Sequence, residues 1–222
     1  MRFQSLWIKR LACAALTMMA GGSQAALTVF TSQASFLGSV SSPGVDGFNG
    51  FSITDSTPSP LSRVAGSYTY TASTGSSGFF GAGTNADPWL STDTNTDSIT
   101  FSGFGAGVSA IGGNFFGSEL EGAFVTGTIS LTATDSFGAI TTQNIVNATT
   151  NSFLGFVSTG ALTSLVVSAI QPPSDFVWPT VNNLILAQAV SPPIPEPQTY
   201  AMMLAGLGLM GLIARRRKRN IA

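Results

Sequence analysis

Residues 128–146, TISLTATDSFGAITTQNIV, carry the clearest structural pattern of the chain. Apolar residues stand at positions 129, 131 and 133, and serine or threonine stands at 130, 132 and 134. Because successive side chains of a strand point to opposite faces, this alternation predicts a strand with one apolar face. The following DSFG places Asp135 first and Gly138 last in a type I turn, before Ile140 begins a second strand. The segment therefore predicts a β-hairpin.

Short segments of similar character extend over the rest of residues 26–190. The predicted strands are 27–31, 67–72, 98–104, 108–116, 124–133, 140–146, 153–157, 164–170 and 184–189. Ser32 can cap a short helix in which Phe36 and Leu37 are directed inward. Nine short strands separated by turns indicate a mainly β, antiparallel β-sandwich with a short N-terminal helix.

The N-terminus has the composition of a signal peptide. Arg2, Lys9 and Arg10 precede an apolar stretch at residues 11–20, and small residues then offer a cleavage site between Ala25 and Ala26. This stretch is too short for a membrane helix, which needs about twenty apolar residues. We expect signal peptidase to remove residues 1–25.

The C-terminus has a different composition. Residues 199–214 contain no charge and lead into a basic cluster of Arg215, Arg216, Arg217, Lys218 and Arg219. A helix over 199–214 would cover roughly 24 Å, which a thin bilayer or a short extension can accommodate. Since basic residues beside a span stay in the cytoplasm, we expect a transmembrane helix at 199–214 and a cytoplasmic tail at 215–222.

The charge of the expected exported domain, residues 26–190, excludes one class of partner. Its acidic residues are Asp46, Asp55, Asp87, Asp93, Asp97, Glu119, Glu121, Asp135 and Asp175. Arg63 is its only Lys or Arg, so nine negative charges and one positive charge give a net charge of −8. A domain of this charge cannot neutralise phosphates, so nucleic acid is not an expected partner.

The end of the chain resembles a known sorting signal. Pro195, Glu196 and Pro197, the apolar span and the basic end stand in the order found in the PEP-CTERM signal of exported proteins from Gram-negative, exopolysaccharide-producing bacteria. The resemblance implies that an exosortase, a membrane-embedded protease-like enzyme, reads this triplet and cuts near it. The triplet would then be a substrate site, held extended by the proline-rich linker 191–198.

The body also resembles exported PEP-CTERM proteins. The segments are FTSQASFL at 30–37, GFNGF at 47–51, SITFSGFGAGVSAIGGNFF at 98–116 and VNNLILAQ at 181–188. This resemblance implies jelly-roll-like sheets.

Catalysis has few residues to use. The chain has no histidine, and residues 26–190 contain neither cysteine nor lysine, which excludes Ser-His-Asp triads, cysteine nucleophiles, lysine bases and zinc sites built on His or Cys. Glu119 and Glu121 would share one face of a strand and could form an acid/base pair, but glycines flank them and favour a solvated loop or strand end. We expect no enzymatic activity.

Two binding sites remain candidates. Asp93, Asn95 and Asp97 alternate oxygen ligands as in the start of a calcium loop, although Ser98 replaces the glycine of an EF-hand. The other reading is a polar turn, and no cofactor is required. A weaker oxygen site would form at Asp46 and Asn183 if the first and last strands are neighbours.

Aromatic side chains could bind sugars by stacking. Trp89, Trp178, Tyr68 and Tyr70 are the candidates, with packing in the core favoured as the alternative. The sequence thus predicts a non-enzymatic envelope or extracellular-matrix protein, held briefly on the inner membrane before release. The alternative is a carbohydrate-binding module that acts in exopolysaccharide.

Overall fold

The computed structural model describes residues 27–75, 78–190, 204 and 206–211. The chain forms two compact units, Met1–Ala189 and Val190–Ala222. The elements of the first unit are β1 (Leu27–Phe30), α1 (Gln33–Leu37), β2 (Val40–Asp46), β3 (Ser56–Pro58), β4 (Leu61–Ala65), β5 (Tyr68–Ser73), β6 (Gly78–Thr84), β7 (Asp87–Thr92), β8 (Ile99–Ser102), β9 (Ala110–Ser118), β10 (Phe124–Val125), β11 (Gly127–Asp135), β12 (Ile140–Ala148), β13 (Phe153–Ser158), β14 (Leu162–Ile170) and β15 (Trp178–Ala189).

The strands form two antiparallel sheets. A nine-stranded sheet has the order β1-β13-β9-β15-β7-β6-β3, with β10 paired to β9 and β2 paired to β15. A six-stranded sheet has the order β12-β11-β14-β8-β5-β4. Phe101 and Leu131 of the six-stranded sheet and Leu90 and Phe115 of the nine-stranded sheet are fully buried in one core. The prediction of a mainly β, antiparallel sandwich is confirmed, and the jelly-roll-like arrangement stays a prediction.

The hairpin at 128–146 is confirmed as β11 and β12. These strands pair in antiparallel register from Thr134 opposite Ile140 onward. The Gly138 N–H donates to the Asp135 carbonyl at 3.1 Å, and Gly138 has a φ of 82°, the left-handed conformation that glycine adopts without strain. The Asp135 carboxylate accepts the N–H groups of Phe137 and Ala139, so the side chain predicted to start the turn also fixes it.

Five strands were not predicted: β2, β3, β4, β6 and β7. Four of them contain proline or glycine, which ordinarily weaken a strand: β2, β3, β6 and β7. The fifth, β4, has no such residue and is short. The predicted strand 124–133 is divided between the sheets, because β10 pairs with β9 whereas β11 pairs with β12 and β14. Tertiary pairing overrides local propensity at these positions.

The predicted helix is present as α1, with two corrections. Phe36 is fully buried and packs against Phe30 and Phe153, as expected for an inward residue. Leu37 is 39% exposed, since the next residue of a helix is turned by about 100° and leaves the core. Ser32 makes no side-chain cap; its carbonyl accepts the Phe36 N–H instead.

In the second unit, residues 204 and 206–211 are helical. Over the ranges described above, none of the helices is both long enough and apolar enough to cross a membrane. The predicted signal peptide 1–25, the linker and PEP triplet at 191–198, the basic tail 215–222 and most of the span 199–214 lie outside the described residues.

Candidate functional site

A cleft of about 370 Å³ lies on the nine-stranded sheet. On β6 and β7, Phe79 and Leu90 point into the core, so the adjacent residues Phe80 and Ser91 face the opposite side of the sheet, where the cleft is. The turn between β9 and β10 contributes a further part of its wall. The cleft therefore combines side chains from strands that are distant in sequence.

Hydroxyl groups form the floor of the cleft. Ser91 and Ser118 line it and are almost fully buried, and Thr180 lies beside them. The Thr180 hydroxyl is 2.7 Å from the Ser118 oxygen and 3.2 Å from the Ser91 oxygen, and Ser91 donates to the Pro179 carbonyl at 3.2 Å. This buried network is internally hydrogen-bonded and fixes the position of the floor.

Trp178 forms an aromatic wall of the cleft. Its indole N–H donates to the Asp93 carbonyl at 3.4 Å, and its ring lies edge-on to Phe176 with centroids 6.4 Å apart. The ring is half-buried and lines the cleft together with Phe80 and Leu120, of which Leu120 is 71% exposed. The site thus offers an apolar surface next to a polar floor.

Gln171, which was not identified from the sequence, holds the loop that leads to Trp178. Its amide nitrogen donates to the carbonyls of Asn95 at 2.8 Å and Val177 at 2.7 Å. Its amide oxygen accepts the Asn95 side-chain amide at 3.0 Å and the Val177 N–H at 3.1 Å. A glutamine in a Pro-rich loop gives no distinctive sequence signal, because its partners lie on another loop.

Two carboxylates line the same cleft. Asp93 accepts the Ser56 hydroxyl at 2.5 Å, and Glu119 lies at the start of the turn after β9. Gly122 in this turn has a φ of 82°, and its carbonyl accepts the Gly83 N–H at 2.9 Å. A Cβ at Gly122 would come within 3.0 Å of the Ala82 Cα, so the turn sits directly against β6. Among the described residues, none of those that line the cleft has a basic side chain.

Glu119 and Glu121 lie on this turn and not on a strand. Both are exposed, as the interpretation of a solvated loop or strand end predicted. Glu119 lines the cleft, where Asp93 is its acidic neighbour. The acid/base hypothesis required Glu119 and Glu121 on one face of a strand, and the structure does not place them on a strand.

The three candidate calcium ligands lie on the loop between β7 and β8. Asp93 binds Ser56, the Asn95 amide binds Gln171, and the Asp97 N–H donates to the Thr94 carbonyl. Within residues 27–75 and 78–190, no group of three or more His, Cys, Asp or Glu side chains is placed to hold a metal ion. Calcium binding by Asp93, Asn95 and Asp97 stays a prediction.

Asp46 and Asn183 are brought close together, as expected for neighbouring first and last strands, because Asp46 pairs with Leu184 across β2 and β15. However, the Asp46 carboxylate receives Arg63 Nε at 2.6 Å, Arg63 Nη2 at 2.7 Å and the Tyr70 hydroxyl at 2.7 Å. The Asn183 amide donates to Asn114 at 3.4 Å. An ion pair between the sheets, in which Asp46 is buried and Arg63 is partly buried, occupies the position predicted for a weak oxygen site.

The protonation states of this ion pair follow from its contacts. Burial alone would raise the pKa of Asp46, but hydrogen bonds from Arg63, Tyr70 and the Phe48 N–H outweigh it and the pKa is lowered. The hydrogen bond to Asp46 raises the pKa of Arg63. Burial, followed by the Asp46 charge, raises the pKa of the Tyr70 hydroxyl, which therefore stays a donor.

The aromatic candidates take different positions. Tyr68 and Tyr70 are buried, which confirms that they are core residues. Trp89 lies edge-on to Phe116 at 4.9 Å, and its indole N–H donates to Asp87 at 3.0 Å. Of the two tryptophans proposed to bind a glycan, Trp178 lines the cleft and Trp89 packs beside the core.

Comparison with known proteins identifies the C-terminal segment. Residues 193–218 match the family model of the PEP-CTERM protein-sorting motif, so the sorting signal expected from the sequence is confirmed at this segment. Comparison with curated proteins gives no significant match. A solved family 6 carbohydrate-binding module is 20% identical with a TM-score of 0.30, covering 53% of this chain and 87% of that chain. At this TM-score the likeness supports no conclusion about fold or ligand.

Proposed function

We propose that this protein is a non-enzymatic component of the cell envelope or the extracellular polymer matrix, sorted through its C-terminal signal and processed by an exosortase. The observation that supports this function is the sorting motif at 193–218, which begins four residues after the last strand ends at Ala189. A folded β-domain followed by a sorting signal is the arrangement expected of a delivered cargo.

In this proposal each terminal segment has one task. Signal peptidase removes residues 1–25, and the span at 199–214 holds the exported domain on the inner membrane. Arg215 to Arg219 keep the tail in the cytoplasm. Exosortase then recognises Pro195, Glu196 and Pro197 and cuts beside them, so the domain reaches the envelope or the medium.

The composition of the exported domain supports a non-enzymatic role. It has no histidine, cysteine or lysine, so acid/base chemistry would depend on carboxylates. The carboxylates of Asp93 and Glu119 both line the cleft. If the protein released reducing ends from a polysaccharide, the non-enzymatic role would be wrong.

Processing can be tested in the native host with Glu196→Ala. We expect export to continue while the variant stays in the membrane fraction with an intact C-terminus, as measured by mass spectrometry. Glu121→Ala is the matched control, because it removes an exposed glutamate far from the motif and should be processed normally. A wild-type mature protein that still contains Arg217 and remains in the inner membrane would overturn the sorting proposal.

A second candidate function is glycan binding, favoured by the cleft at Trp178. The apolar faces of sugar rings stack on aromatic side chains, and sugar hydroxyls bind polar groups such as those of the floor. Trp178→Ala should abolish retention on immobilised exopolysaccharide from the host. Phe137→Ala, which removes an aromatic side chain that is 67% exposed in the β11–β12 turn, should leave it unchanged.

A further inference from the structure

We infer that the cleft at Trp178 selects sugar chains that lack acidic groups, and that Asp93 and Glu119 are the residues that reject acidic polysaccharides. This inference rests on the glycan-binding function proposed above and names its ligand class.

The shape and chemistry of the cleft fit a sugar. Its volume of about 370 Å³ is that of a small-ligand site. Trp178 and Phe80 offer aromatic surface, whereas Ser91 and Ser118 offer hydroxyl oxygens at the floor. A sugar ring has an apolar face and a hydroxylated edge, so one ring can meet both surfaces at once.

The carboxylates decide which sugars can enter. Asp93 and Glu119 both line the cleft, and neither forms an ion pair among the described residues, where the single ion pair is between Arg63 and Asp46. A sugar hydroxyl can donate a charge-assisted hydrogen bond to either carboxylate. A uronate, sulfate or phosphate group would instead face two negative charges without a cation.

The net charge of the rest of the domain also disfavours the binding of acidic polysaccharides. Residues 26–190 have a net charge of −8, and their one basic side chain, Arg63, is committed to Asp46 at 2.6 Å. Repulsion of a polyanion therefore begins before it reaches the cleft, over a distance of about 8 Å at physiological ionic strength. The same charges do not oppose neutral sugars or amino sugars.

Affinity electrophoresis and calorimetry with the full chain in mild detergent test this selection, with Arg215 to Arg219 replaced by glutamine in every sample so that the basic tail does not itself bind acidic polymers. The probes are a neutral glucan or galactan, a glucosamine polymer, and the acidic polymers alginate and polygalacturonate. We expect at least one probe without acidic groups to bind and neither acidic polymer to do so. Trp178→Ala should weaken the observed binding about tenfold or more, and Phe137→Ala should not change it.

The double variant Asp93→Asn/Glu119→Gln tests the two carboxylates directly. Binding of the preferred neutral probe should fall by less than about fivefold, because the amides still accept hydrogen bonds, while the acidic polymers should gain measurable affinity. Glu121→Gln is the control for the loss of charge from this turn: it neutralises one carboxylate two residues from Glu119 but does not line the cleft, so it should leave rejection intact.

The outcomes distinguish a failure of the charge selection from a failure of glycan binding itself. If the wild type binds alginate as tightly as any neutral or amino-sugar probe, the charge selection is wrong and glycan binding stands. If the double variant rejects acidic polymers as the wild type does, Asp93 and Glu119 are not the selecting residues. If the wild type binds none of the probes, both the selection and the glycan-binding function are wrong.

Discussion

Two parts of the domain combine carboxylates with aromatic side chains but differ in how those carboxylates are satisfied. At the sheet interface, Asp46 accepts four hydrogen bonds, two of them from Arg63. In the cleft, Asp93 accepts the Ser56 hydroxyl, and Glu119 is exposed on a turn. The first carboxylate is committed to the fold, whereas the second pair faces a space that a ligand can enter.

The difference follows from the position of Arg63, the one arginine of residues 26–190. Arg63 on β4 reaches Asp46 on β2, so it links the two sheets, and its guanidinium also lies 5.2 Å from the Phe48 ring centre. A chain with one cation in its exported domain can neutralise one buried acid. Polar groups at the interface therefore stabilise the sandwich, and those of the cleft remain available for recognition.

The largest expected effect is the loss of this ion pair. Arg63→Ala leaves Asp46 buried without its cation and should lower the free energy of unfolding by about 3 kcal/mol. Urea denaturation of the full chain in mild detergent measures this, with Asp93→Asn in the cleft as the control that should change stability by less than about 1 kcal/mol. Equal losses in the two variants would remove the distinction between the two regions.

The next effect concerns pH and a third carboxylate, Asp135 of the β11–β12 turn. Burial would raise the pKa of Asp135, but the Ser158 hydroxyl and the N–H groups of Ala139, Phe137 and Gly138 outweigh it and lower the pKa. A lowered pKa means that its stabilisation is complete above the ordinary value of 3.8 and is lost as the pH falls through the lower, folded-state value.

Asp135→Asn tests this dependence. The variant should lose roughly 2 kcal/mol at pH 7, because charge-assisted hydrogen bonds become neutral ones, and the loss should shrink as the pH falls below 3.8. Urea denaturation at pH 7 and pH 3 measures both values. A loss that is equal at the two pH values would show that Asp135 acts through its shape and not its charge.

The sequence predicted the fold best where a pattern was local. The β11–β12 hairpin was identified because its alternation and its DSFG turn lie within nineteen residues. The strands β2 and β6 were not identified, because their prolines and glycines weaken the local signal. They are stabilised by pairing, β2 with β15 and β6 with β7. Nonlocal pairing has no short-range signature.

The same limit applies to the candidate site. Trp178 was identified as a residue type that binds sugars. Its setting depends on Gln171, which binds the neighbouring Val177, and on Ser118, which lies opposite Trp178 in the β9–β15 pair. The pairing of Glu119 with Asp93 in one cleft could not be predicted, because they lie on different loops. The oxygen site at Asp46 and Asn183 was expected only if the first and last strands were neighbours. They are neighbours, but the sequence does not reveal that Arg63 reaches Asp46.

A smaller effect is expected at the turn that closes the cleft. Gly122→Ala adds a Cβ 3.0 Å from the Ala82 Cα at a φ of 82°, so it should cost roughly 1.5 kcal/mol and move the turn away from β6. Glycan affinity should fall with it, because Glu119 and Leu120 move as well. Denaturation and affinity electrophoresis measure the two effects, and unchanged affinity would show that this wall does not contact the ligand.

The smallest effect is expected at Gly138. Comparing Gly138→Ala with Gly122→Ala distinguishes the cost of backbone strain from the cost of steric crowding. Gly138 has the same φ of 82°, but a Cβ there meets nothing within 4 Å. Gly138→Ala should therefore cost only the left-handed strain, about 1 kcal/mol, and Gly138→Asn should cost less, because asparagine adopts this conformation more readily. Glycan affinity should not change in either variant, since the turn does not line the cleft. If Gly138→Ala costs as much as Gly122→Ala in urea denaturation, crowding against β6 contributes nothing and the turn at the cleft is free to move.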